Sequence, residues 1–271
     1  MSYDREIKSF YETYADTTLD KRLRSPFSIR RYVHEAQYRM IIDRIDADMF
    51  VLNAARGEGS IGLLLAKKGI ASTGVDLSTP NTDWARTEAQ KLDLSHFTNF
   101  CVGDAEHLPF PDKSFDVAVS SHVLEHLPDF DAEWQELCRV AHKHIVAALP
   151  TGFNLCALAL LGGDCGYWKL SKRSLVAIPL GFLRTLCNLS GEGVQEGYAG
   201  QDEPPHVWRF LWIVKRRLRH PKWRMVSYEA STLCLPCATS LLSFVRFFDH
   251  FCKWPLLRYF GYGSTMMFER R

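Results

Sequence analysis

The chain has 271 residues, of which 46% are hydrophobic and 24% charged, and a formal net charge of +2. That composition excludes a disordered, collagenous or disulfide-scaffold protein, and the length suffices for a large core without metals or disulfides. The charge is uneven: residues 151–271 hold sixteen Lys and Arg against eight Asp and Glu, residues 1–150 seventeen against twenty-three.

The charged start, Met1 to Lys8, has no apolar h-region, so no signal peptide is expected and a cytoplasmic location follows. Residues 1–48 read as a helical lid, with Tyr11, Tyr14, Phe27, Ile29, Tyr32 and Val33 among many charges. From Met49 a strand–helix alternation begins. Apolar runs suited to buried parallel strands fall at 49–54, 71–75, 99–102, 115–120 and 144–149, with helical patterns at 61–68, 83–92 and 132–140. This predicts an α/β, doubly wound, Rossmann-like sheet, with residues 49–150 as its core. Beyond Leu149 the rhythm stops, and residues 151–271 are expected to complete the sheet while carrying insertions at about 151–205 and 231–258. Pro204-Pro205 predicts a helix over 206–219. Strands are expected at 223–228 and 263–269, and an apolar helix or helix pair at 233–251. The stretch Ser231–Cys252 is interrupted by Pro236, Arg246 and Asp249 and makes a poor membrane span.

Eight cysteines are scattered along the chain. Only Cys234 and Cys237 form a CxxC, without a second pair at zinc spacing, so reduced thiols and no metal are expected.

The first strand enters Arg56-Gly57-Glu58-Gly59-Ser60-Ile61-Gly62, where small residues admit a ligand close to the backbone and a helix begins near Ser60. Asp76, at the tip of the second strand and 19 residues after Gly57, suits a ribose diol. These residues alone also satisfy a dinucleotide fingerprint, and the glycines alone would serve a tight turn.

The segment from Cys101 to Leu127 is more specific. Gly103-Asp104-Ala105, then Leu108-Pro109-Phe110-Pro111-Asp112, Ser114-Phe115-Asp116 and Leu124-Glu125-His126-Leu127 resemble the class I S-adenosylmethionine-dependent methyltransferases of the ubiquinone/menaquinone-biosynthesis and small-molecule type. With Val51–Gly59 and Val75–Ser78 the resemblance covers about residues 49–150. It implies a seven-stranded sheet with its last strand antiparallel, S-adenosylmethionine as cofactor, and a set of contacts. Gly57 and Gly59 would line the methionine part, Asp76 the ribose, Leu77 the adenine face, Asp104 the adenine amino group and Ala105 a ring nitrogen. Ser121 and His122 would flank the sulfonium and the acceptor. Apart from the resemblance, the place of Tyr11 and Tyr14 on the helical lid suits either closing over the cofactor or packing the lid. Asn53 and Ala55 stand where the family carries an acid and its first glycine. Both remain cofactor candidates, without Asn53's negative charge and with an added methyl at Ala55.

Methyl transfer draws much of its rate from alignment, and an oxygen or nitrogen acceptor also needs a base. His122 and His206 are the catalytic candidates. Helical spacing would put Glu125 and His126 beside His122, as an orienting carboxylate, as metal ligands, or as framework that braces the turn. The apolar insertions, with Tyr167, Trp168, Phe182, Leu183, Phe244, Phe247 and Phe248, suggest a small hydrophobic or aromatic acceptor. O-methylation is the expected reaction, with C- or N-methylation as alternatives. The basic run Lys215–Lys222 suggests contact with a membrane surface. Nucleic acid is not an expected partner, because no recognition motif accompanies the run. A nucleic-acid or protein methyltransferase, and a cofactor-binding protein that transfers no methyl, are the competing classes.

Overall fold

The computed structural model describes residues 3–15, 22–55, 57–127, 129–164, 172–196, 206–233 and 242–271. Among the described residues, α1 (Tyr3–Thr13) and α2 (Ser28–Ile42) precede the alternating part. There follow β1 (Val51–Ala54), α3 (Ser60–Ala66), β2 (Ser72–Asp76), α4 (Thr79–Lys91), β3 (Thr98–Val102), β4 (Phe115–Ser121), α5 (Phe130–Val140) and β5 (Ala141–Pro150). The C-terminal part adds α6 (Leu155–Leu161), α7 (Lys172–Cys187), the hairpin β6 (Gly193–Glu196) and β7 (His206–Arg209), α8 (Leu211–Arg217), β8 (Trp223–Ala230), α9 (Leu242–Phe248) and β9 (Gly263–Arg270).

The sheet has seven strands in the order β3-β2-β1-β4-β5-β9-β8. β1, β2 and β4 pair in parallel, as do β2 with β3 and β4 with β5. β9, the last strand, runs antiparallel between β5 and β8, as the family resemblance implies. Every residue of β1 and β2 is buried, because helices cover both faces. On one face Leu52, Ala118 and Ile145 meet Phe130, Trp134 and Leu137 of α5. On the other, Val51, Val119 and Val146 meet Tyr38, Ile41 and Ile42 of α2 and Ile61 and Leu65 of α3. Each such large side chain contributes roughly 1.5–3 kcal/mol on burial.

The predicted strands and helices of residues 49–150 are all present, with ends moved by caps. Ser78 Oγ accepts from Asn81 N–H at 3.1 Å, so α4 starts at Thr79 rather than at 83. Asp129 Oδ1 accepts from Asp131 and Ala132 N–H, both at 3.0 Å, and starts α5 at Phe130.

The helix expected over 206–219 is corrected. Residues His206–Arg209 form β7, paired with β6, and only Leu211–Arg217 is helical. Trp208, Arg209 and Phe210 are all buried. Gly193, opposite, lets the backbones close up: a Cβ there would lie 2.5 Å from Trp208 O. Of the apolar helix or helix pair expected over 233–251, the described part is α9 followed by a 3-10 turn, Asp249–Lys253; residues 234–241 lie outside the described residues. The Cys234/Cys237 pair, Pro204-Pro205, Tyr167 and Trp168 lie outside the described residues.

Candidate functional site

The strand order reverses between β1 and β4, which opens a crevice at the carboxyl ends of the strands. A cavity of about 270 Å³ occupies it. β1 and the following loop contribute Asn53, Ala55, Gly57 and Glu58; β2 contributes Asp76 and the loop after it Leu77; the loop after β3 contributes Asp104 and Ala105; the end of β4 contributes Ser121, His122 and Val123. α1 covers the opening with Ile7, Lys8, Phe10 and Tyr11, followed by Tyr14. Arg22, Tyr38 and Ile61 line a further part. Every cofactor candidate from the sequence therefore lines one cavity, except Gly59. Gly59 has a φ of +78°, and a Cβ there would come 2.9 Å from the Phe100 ring; its smallness serves packing of the loop on β3.

The loop is tied to β2 by its acid. Asp76 Oδ2 accepts from Gly57 N–H at 2.6 Å and Oδ1 from Ser78 N–H at 2.9 Å. Ala55 adopts a φ of +42°, a left-handed conformation that costs a side-chain-bearing residue on the order of 1 kcal/mol. Asn53 is buried, and neither its Oδ1 nor its Nδ2 has a partner among the described residues. A buried amide so placed calls for a polar ligand atom.

Asp104 is held from two sides. Its Oδ1 accepts from Glu106 N–H at 2.9 Å and its Oδ2 from Lys8 Nζ at 2.6 Å. Lys8 Nζ also lies 2.6 Å from Glu106 Oε2. Burial works to raise the Asp104 pKa, but the Lys8 and Glu106 hydrogen bonds outweigh it and hold the carboxyl below its ordinary value. The α1 lid is thus pinned to the end of β3 by a charge pair.

His122 stands in a left-handed turn, φ +57°, with its N–H on Ala148 O at 2.8 Å. Residues 122–127 form turns rather than the helix whose spacing was expected to gather them. The His122–Glu125 contact forms all the same: Nδ1 lies 3.1 Å from Oε1 of a fully buried carboxylate. A carboxylate there fixes the proton on Nδ1, so Nε2 accepts from the Gln37 amide at 3.0 Å. Gln37 Oε1 in turn accepts from His34 Nδ1 at 3.1 Å. Burial, then Arg22, His122 and Arg30, push the His34 pKa well below the usual range, so His34 is neutral. His126 lines the cavity with its ring 6.2 Å from that of Tyr11. Among the described residues His122, Glu125 and His126 do not bring three ligand atoms together; Asp104, Glu106 and His107 do, and Lys8 already lies against both carboxylates.

His206 has its backbone in β7, while its side chain lies outside what is described. Lys8, Arg22, His34 and Gln37 carried no motif. The available signal was polar residues at core positions of α2, where His34 and Gln37 interrupt the buried stripe Ile29, Val33, Tyr38 and Ile41. The insertions expected to bind the acceptor lie partly outside the described residues, at 165–171, 197–205 and 234–241. No described residue after Leu127 lines the cavity, and Phe182, Leu183, Phe244, Phe247 and Phe248 are exposed. The basic run is partly consumed internally. Lys215 Nζ lies 4.6 Å from the centre of the Tyr228 ring, and Arg217 holds Glu192 at 2.6 and 2.7 Å.

Residues 52–146 match the family model of the methyltransferase domain. The ubiquinone/menaquinone biosynthesis C-methyltransferase of Rickettsia massiliae is 38% identical over 96 residues, which are 33% of this chain and 39% of that protein. The chain thus spans about two fifths of the curated relatives it matches. Among solved structures, an S-adenosylmethionine-dependent methyltransferase from Methanosarcina mazei aligns with a TM-score of 0.56 at 19% identity, over 86% of this chain and 96% of that one. Magnesium protoporphyrin IX methyltransferase from Synechocystis with bound SAH aligns at 0.55 and 15%, over 99% and 94%. Both share the fold.

Proposed function

We propose that this chain, whose residues 52–146 match the methyltransferase domain, is a class I S-adenosylmethionine-dependent methyltransferase that methylates a small, largely apolar molecule held between the strand ends and the α1 lid. The observation that carries this reading is the pair of carboxylates, Asp76 and Asp104, at successive strand ends of one cavity. Asp76 would accept from the two ribose hydroxyls and Asp104 from the adenine amino group, with Leu77 against the ring and Ala105 N–H on a ring nitrogen. Asn53, unpartnered among the described residues, would meet the methionine end, beside Ala55 and Gly57. Tyr14 would close over the cofactor from the lid. When bound, S-adenosylmethionine supplies an electrophilic methyl group.

The protein's own part is to align the acceptor and take its proton. Ser121 and His122 would flank the reacting atoms. An acceptor O–H that displaces the Gln37 amide from His122 Nε2 gains a base, and Glu125 stabilises the imidazolium that results. The related ubiquinone/menaquinone biosynthesis proteins are C-methyltransferases by name, which makes carbon the alternative acceptor atom, and the same dyad would serve an acidic C–H. Apolar and aromatic lining from Ile7, Phe10, Tyr11, Tyr38 and Ile61 suits a hydrophobic or aromatic metabolite. A labelled-methyl assay on metabolite extract and on RNA, with calorimetry against S-adenosylmethionine and NADH, tests the reading. Label in a small organic product supports it; label in RNA, or tight NADH binding in place of S-adenosylmethionine, overturns it.

A further inference from the structure

Helix α7 is built inside out for a helix in water. Its buried face is Ser174, Ala177, Gly181 and Thr185, at i, i+3, i+7 and i+11, and every one of these is small. The smallness is used. A Cβ on Gly181 would collide with the backbone of Leu158 in α6, and one on Gly162, just after α6, with the backbone of Ala177. The two helices therefore pack backbone to backbone. The bulky residues of α7 point away: Leu175 and Val176 are each 69% exposed and Leu183 57%, with Leu180, Phe182 and Leu186 exposed beside them. A helix against an aqueous domain normally buries its large apolar side chains. Small residues at the helix contact with bulky ones outside is the arrangement used where the surroundings are themselves apolar.

Charge identifies the surroundings. Lys172–Cys187 contains Lys172, Arg173 and Arg184 and no acidic residue. The cations sit toward the ends of the helix, with none between Ser174 and Leu183. A second copy of the same face would set cations against cations, so self-association along α7 is disfavoured, whereas anionic headgroups complement them. The helix is also too short to cross a bilayer. Its 16 residues reach roughly 24 Å against a hydrocarbon core of about 30 Å, and no described helix is long and apolar enough to cross a membrane. The other insertion repeats the chemistry, with exposed Phe244, Phe247 and Trp254 interleaved with Arg246 and Lys253.

We propose that α7 lies flat in the interfacial layer of a lipid bilayer bearing anionic headgroups, with its leucines, Val176 and Phe182 at the acyl boundary and Lys172 and Arg173 among the phosphates. This moves the membrane contact suggested by the Lys215–Lys222 run to a different face, and it stands whether or not the chain transfers a methyl group.

The test is flotation of the whole chain, without cofactor, on vesicles of phosphatidylcholine alone and with phosphatidylglycerol added. The chain should float with the anionic vesicles. A Leu175→Glu, Val176→Glu, Leu183→Glu variant should lose about ten-fold or more of the bound fraction at an unchanged melting temperature, since those side chains leave no cavity in the core. An Arg216→Glu, Arg219→Glu variant should keep floating. Three outcomes overturn the proposal: wild-type protein that floats with neither vesicle; a triple variant that floats as well as wild type; or a concentration-dependent dimer by sedimentation that the triple variant dissolves while vesicles are ignored. The last would make α7 a self-association face.

Discussion

His122 Nδ1 and Glu125 Oε1 are 3.1 Å apart, across a turn in which His122 carries a φ of +57°. The backbone strain and the buried carboxylate together aim one imidazole nitrogen at Gln37 and the cavity. Strain of this kind persists only where surrounding contacts over-determine it, here the His122 N–H on Ala148 O and both ring contacts.

If the dyad is the base, Glu125→Gln should cut kcat by roughly 10²-fold or more, because a neutral amide stabilises no imidazolium. His122→Ala should cost a similar factor. The affinity for S-adenosylhomocysteine should stay within about two-fold of wild type in both variants. Single-turnover rates beside calorimetry check this, and loss of cofactor affinity in step with rate would recast the pair as framework.

Asp76→Ala and Asp104→Ala should each weaken binding of S-adenosylhomocysteine by roughly ten- to a hundred-fold, the worth of one charge-assisted hydrogen bond. Asp76 carries a second burden, because it also anchors the loop through Gly57. Hydrogen exchange over residues 55–60 should therefore accelerate in Asp76→Ala and not in Asp104→Ala.

The Lys8–Asp104 pair makes the lid sensitive to acid. Asp104 is held below its ordinary pKa, so the pair's contribution is fully present above that ordinary value and is lost only as pH falls through the lower, folded one. Protection of the α1 amides should persist across neutral and mildly acidic pH and drop in strong acid. Lys8→Ala should remove it at every pH, as hydrogen exchange with mass detection would record.

Ala55 sits where a glycine would be unstrained. Ala55→Gly should raise stability by about 0.5–1 kcal/mol, less the entropy that glycine adds to the unfolded chain, or about 2–4 °C in melting temperature at most. Cofactor affinity should hold or improve. A drop in melting temperature would mean that the left-handed turn costs alanine nothing here.

The parts legible in the sequence were those where local pattern and global fold coincide. β1 and β2 read as continuous apolar runs because both faces are buried, and the 19-residue interval from Gly57 to Asp76 returned as a 2.6 Å hydrogen bond. β7 was misread because two prolines are a strong helix-start signal, while a four-residue strand is too short to show a period of its own. Arg22 lines the cavity, and Gln37 and His34 of α2 reach His122 through a chain of hydrogen bonds; all three lie far in sequence from any motif, so only the tertiary fold brings them to the site. Phe182 and Leu183, read as apolar acceptor lining, are exposed on α7: an apolar residue alone does not say whether its side chain faces in or out.

Glu133 offers the sharpest test of the core under the site. It is fully buried on α5, and neither carboxylate oxygen has a hydrogen-bond partner of good geometry among the described residues. Burial pushes its pKa up to about 8, with Glu125, Glu106 and Asp104 adding repulsion and the nearby Ser120 opposing. A carboxyl whose folded pKa exceeds its ordinary 4.5 takes up a proton on folding between those two values. Stability therefore declines as pH rises through that window, by up to about 1.4 kcal/mol per pH unit. Glu133→Gln preserves the shape and removes the titration. Its unfolding free energy in urea should match wild type near pH 4, stay flatter as the pH is raised, and exceed wild type at pH 8. Parallel curves for the two proteins would mean that Glu133 is already ionised in the fold, held by a partner outside the described residues.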